Sequence, residues 1–175
     1  MVSAFLLLLS TLVPASAAKD LNGRVGLGFS QQFGGNGAMS AVSLKYGIPT
    51  GKPTTNLGVE LDVGVDVAGG ATGFFGGGRF LWGAVAEDNM NLNLGLGVGY
   101  LQRNVIGVDD TGAATDPEPY GTVRLQPSLG AEFFLFGLEN LGFTAELGLN
   151  LDLVDGGVNV LTVGGAPGVG MHYYF

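Results

Sequence analysis

The sequence predicts an all-β protein, an eight-stranded antiparallel up-and-down transmembrane β-barrel. Eight segments carry apolar residues at every second position, the period at which the side chains of a strand share one face. Mean hydropathy is positive, +0.38. Even so, beyond the amino-terminal segment no apolar run reaches the roughly 20 residues that a spanning helix needs. The chain also ends on alternating bulky residues that stop at Phe175.

Residues 1–18 are predicted to be a cleaved signal peptide and residues 19–175 the barrel. The apolar run Ala4–Val13 is too short for a transmembrane helix, and Pro14 ends it. Small residues follow for the signal peptidase, with cleavage before Ala18 or Lys19. No Lys or Arg precedes the apolar run, which indicates either an upstream start codon or an atypical signal.

The first four predicted strands alternate apolar residues with glycine or polar ones. Gly23–Ser30 alternates Val, Leu and Phe with Arg and Gly, and Ser40–Ile48 places Val, Leu, Tyr and Ile on one face. Leu57–Val67 alternates without exception, with Gly, Glu and Asp opposite Leu and Val. Gly73–Ala84 sets Phe and Trp opposite Gly and Arg. A period of two over such lengths favours strands with one apolar face.

The last four predicted strands repeat this pattern. Asn91–Arg103 sets Leu, Val and Tyr opposite Asn, Gly and Arg, and Tyr120–Leu135 sets Val, Leu, Ala and Phe opposite Arg, Gln, Ser and Glu. Gly142–Asp152 sets Phe, Ala and Leu opposite Thr, Glu, Asn and Asp. Val163–Phe175 sets Val, Met, Tyr and Phe opposite Gly and His. Pro167 lies near the start of this last strand, where a residue without an N–H interrupts the ladder.

Side-chain volume indicates which face points outward. The interior of an eight-stranded barrel is just wide enough for side chains to fill. The apolar face would overfill it, whereas glycines and long charged residues interleave. The whole chain has only three lysines, so the polar face lacks the character of a solvated surface. We therefore expect the apolar face to point outward into lipid. A soluble ligand-binding barrel with the apolar face inward is an alternative.

Aromatic residues give a second indication of a membrane barrel. With both termini on the periplasmic side, the aromatics gather at the two ends of the strands, as the interfacial girdles of transmembrane barrels do. The extracellular set is Phe29, Phe74, Tyr100 and Tyr120, and the periplasmic set is Tyr46, Trp82, Phe133, Phe143, Tyr173 and Phe175.

The inward face collects charged residues, which inside a narrow barrel must be paired or solvated. We expect a plug of salt bridges, with Arg79 beside Glu60 or Asp62 and Arg124 beside Asp152. An ion pathway is the alternative. The predicted interior charge network is Arg24, Glu60, Asp62, Asp66, Arg79, Arg103, Arg124, Glu132, Glu146 and Asp152.

No catalytic, cofactor or metal site is predicted. His172 is the only histidine, and a general base there would need a serine and an orienting acid, neither of which lies beside it in sequence. Asp109, Asp110, Asp116 and Glu118 lie in the longest connector, but their spacing matches no defined calcium loop. The absence of cysteine excludes disulfides and thiolate metal sites. A net charge of -8 argues against nucleic-acid binding.

Two segments resemble those of a known group. Tyr173-Tyr174-Phe175 looks like the β-signal that the barrel-assembly machinery reads, and Leu125–Glu132 is typical of one late strand. The mature chain resembles the small eight-stranded outer-membrane barrels, OmpA/OmpX-like and opacity-protein-like. The resemblance implies a monomer in the cell outer membrane, with Met171, Tyr173 and Phe175 as the assembly signal. It also implies contact with outer-membrane lipid and lipopolysaccharide.

The predicted function follows from this architecture. We expect a non-enzymatic outer-membrane protein with a structural, envelope-integrity or adhesion role, plugged by interior salt bridges. The alternatives are an enzyme that modifies outer-membrane lipid and a minor pore. No peptidoglycan-binding domain is visible, so tethering to the cell wall is not implied.

Overall fold

The fold comes from a computed structural model that describes residues 19–31, 41–52, 55–66, 73–105, 118–154, 157–162 and 168–175. All regular structure in these ranges is β-strand. The described part of the chain contains no helix long and apolar enough to cross a bilayer. The strands are β1 Val25–Ser30, β2 Ala41–Ile48, β3 Leu57–Asp66, β4 Gly73–Ala86, β5 Met90–Val105, β6 Glu118–Phe134, β7 Leu141–Val154, β8 Gly157–Thr162 and β9 Gly168–Tyr174.

The strands form one antiparallel sheet that closes on itself. From β1 to β7 each strand pairs with the next along the chain. The ring closes because β9 pairs with both β7 and β1. The remaining segment, β8, pairs with the part of β7 beyond the reach of β9, so β8 and β9 share one position in the ring. The fold is therefore a closed eight-stranded up-and-down barrel, as the sequence predicts. Where β9 pairs with both β1 and β7, the sheet has no open edge.

The eighth strand position differs from the sequence prediction of a strand over Val163–Phe175. Regular pairing begins earlier, at β8, which precedes the predicted strand, and residues 163–167 lie outside the described part. Leu149 pairs with Thr162 and Glu146 with Gly168. The step from Leu149 to Glu146 is three residues along β7, whereas the step from Thr162 to Gly168 is six residues, so the register against β7 shifts by three between β8 and β9. The alternation of apolar residues does not continue through such a shift, so the pattern did not show that β8 belongs to the same position in the ring as β9.

Alternate side chains point away from the barrel axis, and this outward set is apolar. Val63 is 54% exposed and Leu96 is 63% exposed, whereas the intervening inward positions are buried. The orientation is the one that the volume argument predicts. Other exposed apolar residues on this surface are Leu27, Phe29, Val42, Leu44, Leu61, Val65, Val98, Leu129, Leu147 and Leu149.

Outward-facing aromatic rings gather near the two ends of the barrel. We call the end that carries Lys19 and Phe175 the lower end and the opposite end the upper end. At the lower end the rings of Tyr173 and Phe175 meet edge to face, 5.1 Å apart. The exposed aromatics are Phe29, Phe74 and Tyr100 toward the upper end and Tyr46, Phe80, Trp82, Phe133, Phe136, Tyr173 and Phe175 toward the lower end.

The upper half of the interior contains an apolar layer formed by Ala41, Phe75 and Leu101. The Phe75 ring lies over two glycines, Gly77 on its own strand β4 and Gly99 on the neighbouring strand β5. A Cβ atom at Gly77 would come within 2.8 Å of this ring and one at Gly99 within 2.7 Å. Only residues without a side chain leave room for the ring at these two positions, so glycine lets an aromatic residue fit inside a narrow barrel.

Candidate functional site: the barrel interior

A set of ion pairs crosses the lower half of the interior. Glu60 and Arg79 are direct cross-strand partners in β3 and β4, and Arg79 Nη2 lies 2.5 Å from Glu60 Oε2. The other terminal nitrogen of the same guanidinium, Nη1, lies 2.5 Å from Oε2 of Glu146 on β7. One arginine therefore joins two carboxylates from different sides of the barrel.

Lys45 on β2 extends this set toward the lower end. Its Nζ lies 3.2 Å from Glu132 Oε1 and 3.8 Å from Glu60 Oε2. The hydroxyl of Tyr174 donates a hydrogen bond of 2.7 Å to the same oxygen of Glu132. The sequence prediction omitted both Lys45 and Tyr174. The sequence indicates their inward orientation only through the alternation of the strand, because each lies between two outward apolar residues.

A separate pair lies higher in the barrel, between β6 and β7. Arg124 and Asp152 are cross-strand partners. Nε of the arginine lies 2.6 Å from Oδ1 and Nη2 lies 2.7 Å from Oδ2. This bidentate geometry adds directional specificity to the charge attraction. On the same inward face, Gln126 Nε2 donates to Asn150 Oδ1 over 3.0 Å.

The predicted charge network divides into three groups. Arg24 differs from the prediction, because β1 begins only at Val25 and Arg24 lies half-buried at the lower mouth. There its Nη2 donates to Asn140 Oδ1 and to the Tyr174 carbonyl, at 2.6 and 3.3 Å. The side chains of Asp66 and Arg103 lie outside the described part of the chain. The buried members are Glu60, Asp62, Arg79, Arg124, Glu132, Glu146 and Asp152.

The structure also brings a serine to the single histidine. The sequence shows no serine beside His172, but in the fold the residue is completely buried, and its Nε2 lies 2.8 Å from Ser43 Oγ. Gly28 on β1 pairs with Ser43 on one side and with His172 on the other. Because Gly28 has no side chain, the two residues meet across it. Local sequence carries no signal for a contact between strands so far apart along the chain.

Hydrogen counting defines this contact further. Ser43 Oγ donates to Glu60 Oε1 over 2.6 Å, and a hydroxyl has only one hydrogen. His172 Nε2 must therefore be the donor toward Ser43. A nucleophilic serine needs the opposite arrangement, in which serine donates and an acid orients the far nitrogen of the imidazole. Here Nδ1 of His172 has no hydrogen-bond partner among the described residues, and the side chains of Ser43, Glu60 and His172 are buried, so we interpret the contact as structural.

The segment Lys19–Arg24, which we call the stopper, closes the lower mouth. The amide of Leu21 donates to Asn56 Oδ1 at 3.1 Å, and Asn56 Nδ2 donates to the Lys19 carbonyl at 2.8 Å. The Leu21 side chain lies in a buried apolar cluster with Phe134 and Tyr174.

Two further features hold the stopper in place. The Lys19 ammonium lies 4.7 Å from the centre of the Phe134 ring. Partial burial there, together with the nearby charge of Arg24, lowers the pKa of Lys19 below its ordinary value. A Cβ atom at Gly47 would collide with the Leu21 carbonyl oxygen, so glycine is required beneath the stopper.

Little open space lies between the stopper and the ion pairs above it, which we call the lower charge cluster (Lys45, Glu60, Arg79, Glu132 and Glu146). The cavity between the stopper and this cluster measures about 30 Å³ and is lined by Leu21, Lys45, Glu132 and Tyr174 among others. The apolar layer around Phe75 lies above the charges and the stopper lies below them. Among the described residues, no three His, Asp or Glu side chains are placed to hold a metal ion.

Comparison with known proteins shows a likeness to a solved structure and no match in sequence. No protein-family model matches the chain, and no curated protein matches its sequence. The chain is similar to the backbone structure of the outer membrane protein Ail of Yersinia pestis in a phospholipid bilayer nanodisc. Sequence identity is 11% and the TM-score is 0.42, over 87% of this chain and 97% of that chain. By its own geometry, closed and antiparallel with an apolar outside and a charged inside, this chain has the architecture of a small eight-stranded outer-membrane β-barrel.

Proposed function

We propose that the protein is an integral protein of the bacterial outer membrane. The observation that carries this proposal is the continuous apolar outer surface, which lies between two sets of aromatic rings and surrounds a core of ion pairs. Soluble monomers rarely expose contiguous apolar patches beyond a few hundred Å². In lipid the same surface is solvated, and the closed ring of paired strands supplies the backbone hydrogen bonds that acyl chains cannot.

We propose a structural role in envelope integrity, or surface adhesion through the connectors at the upper end. The filled interior supports a barrel that spans the membrane without conducting. Arg79 binds carboxylates from two walls, the stopper covers the lower mouth, and Phe75 fills the upper half. The acidic connector that contains Asp109 and Asp110 lies outside the described residues, so the choice between integrity and adhesion rests on experiment.

We further propose that Met171, Tyr173 and Phe175 form the signal that the barrel-assembly machinery reads. All three side chains point outward on the last strand and its end, and Phe175 is 72% exposed. The amide of Phe175 donates to the Val25 carbonyl at 2.9 Å, so the signal lies at the seam where the first and last strands meet. In this proposal the mature barrel is a monomer that contacts lipid and lipopolysaccharide and uses no cofactor.

A non-enzymatic role is part of the proposal. The residue set closest to a catalytic arrangement, Ser43 with His172 and Glu60, is buried and has its hydrogen bonds directed against proton abstraction from serine. An enzyme acting on outer-membrane lipid would need its nucleophile or base within reach of the lipid substrate.

Location and role need separate tests. Membrane fractionation together with heat-modifiable migration on SDS gels tests the outer-membrane barrel. Recovery in the soluble periplasmic fraction would contradict it. Planar-bilayer recordings of the refolded protein test the plug, and we expect no stable conductance. Deletion of the gene, followed by assays of bile-salt sensitivity and host-surface binding, tests integrity and adhesion. A deletion strain that is normal in both assays would overturn the proposed role.

A further inference from the structure

Asp62 differs from the other buried carboxylates of the interior, because no described residue donates a hydrogen bond to it. It lies on β3, where its cross-strand neighbours are Ser43 on β2 and Gly77 on β4. Its relative exposure is 0%, and neither carboxyl oxygen has a hydrogen-bond partner among the described residues. Asp152, the same residue type on the same inward face, accepts two hydrogen bonds from Arg124.

The donors around Asp62 are already engaged. Arg79 on β4 bonds to Glu60 and Glu146, and Lys45 on β2 lies against Glu132 and Glu60. Ser43 gives its single hydroxyl hydrogen to Glu60.

His172 on β9 gives its Nε2 hydrogen to Ser43, and none of these neighbouring groups donates a hydrogen bond to Asp62 among the described residues. The charges of the lower interior are also unequal among the described residues. Two cations face four carboxyl groups, namely Lys45 and Arg79 against Glu60, Asp62, Glu132 and Glu146.

A bare carboxylate buried without a donor or a counter-charge is strongly unfavourable. We propose that Asp62 binds one small monovalent cation, either a proton or an alkali-metal ion, in the folded barrel. A single positive charge is enough to neutralise this carboxylate. The proposal rests on the interior geometry and is independent of the role of the protein in the membrane.

A matched pair of isosteric substitutions tests the charge state. Asp62→Asn keeps the shape of a neutral carboxyl, so the urea midpoint of the barrel refolded in lipid vesicles should be unchanged or higher. Asp152→Asn removes the partner of Arg124 and should lower the midpoint. If Asp62→Asn lowers the midpoint as much as Asp152→Asn does, Asp62 is an ordinary charged partner and the proposal is overturned.

The identity of the cation requires two series on the parent protein. A bound proton means that folding takes up a proton, so the midpoint should fall as pH rises from mildly acidic to mildly alkaline. A bound alkali ion should raise the midpoint when sodium or potassium replaces choline at constant ionic strength and pH. Either dependence supports the proposal if Asp62→Asn abolishes it. A parent that shows neither dependence overturns the proposal, even if the variant does not fold.

Discussion

Arg79 on β4 and Glu146 on β7 form an ion pair that reaches across the barrel, with 2.5 Å between Nη1 and Oε2. Neither strand neighbours the other in the ring. The contact therefore fixes the separation of two walls that backbone hydrogen bonds do not join, and Glu60 holds the same guanidinium from the adjacent strand.

Replacing Arg79 with Met should destabilise the barrel strongly, because it leaves Glu60 and Glu146 buried without their cation. Breaking a buried pair in this way typically costs about 3–5 kcal/mol. Urea unfolding in lipid vesicles measures the free energy. Arg24→Met at the half-buried lower mouth is the matched control and should cost much less. Adding Glu60→Gln and Glu146→Gln to Arg79→Met should restore part of the loss, and no recovery would contradict the pairing.

Val63→Arg should destabilise the barrel in lipid, because Val63 lies mid-strand on the outward face. The penalty for Arg at the midplane of a membrane barrel is about 2–4 kcal/mol. Folding yield and unfolding free energy in vesicles measure it. Val63→Leu, at the same position and without charge, should be close to neutral. Equal stability of the Arg and Leu variants in lipid would argue that this face does not contact acyl chains.

Deleting Phe175 should lower the amount of protein in the outer membrane severalfold and leave the chain periplasmic and protease-sensitive. The reason is that the terminal aromatic lies on the outward face of the seam, where the assembly machinery is proposed to read it. Fractionation and protease digestion of whole cells provide the measurement. Tyr174→Phe alters the neighbouring residue but points inward, and should assemble nearly normally. Normal membrane levels without Phe175 would remove the assembly role.

Gly47→Ala should displace the stopper, since the added Cβ would collide with the Leu21 carbonyl oxygen. We expect a lower unfolding midpoint, together with faster protease cleavage after Arg24, the last residue of the stopper, in the refolded protein. Gly58→Ala is the matched control, because its nearest contact for a Cβ, the Tyr46 carbonyl, is 3.3 Å away. Identical cleavage rates in the two variants would show that the stopper does not depend on Gly47.

His172→Ala should insert into the outer membrane and leave lipid A unchanged, because the histidine serves a buried structural contact. Mass spectrometry of lipid A from cells that overexpress the parent and the variant measures this. The parent itself should produce no mass change relative to the empty vector. A modification that appears with the parent and disappears with His172→Ala would replace the structural interpretation with an enzymatic one.

The strands and their facing were predictable because a period of two needs only neighbouring residues to be read. Leu57–Asp66 is the clearest case, and the structure forms a strand there with alternate residues buried. The predicted pairs of Arg79 with Glu60 and Arg124 with Asp152 required only hairpin register. Each pair joins consecutive strands, so the turn between them constrains the alignment.

Contacts between strands distant in sequence were not predictable. Ser43 meets His172 only because the last strand closes against the first. No local sequence pattern sets the register between these two strands. The stopper was missed for a related reason, since Leu21 precedes the first strand and its partner Asn56 precedes the third. Lys45 was omitted although its parity indicates an inward position.

The residues of the lower charge cluster, together with Tyr174, come from six of the eight positions in the ring. They are Lys45 on β2, Glu60 on β3, Arg79 on β4, Glu132 on β6, Glu146 on β7 and Tyr174 on β9. A chain that has placed only some of these strands therefore holds carboxylates and cations whose partners have not arrived. An incomplete ring is therefore destabilised by its unpaired interior charges as well as by its unpaired strand edges. We therefore expect the ring to be completed cooperatively, and we expect a barrel that lacks its carboxy-terminal strand to be unstable because its interior charges lack partners.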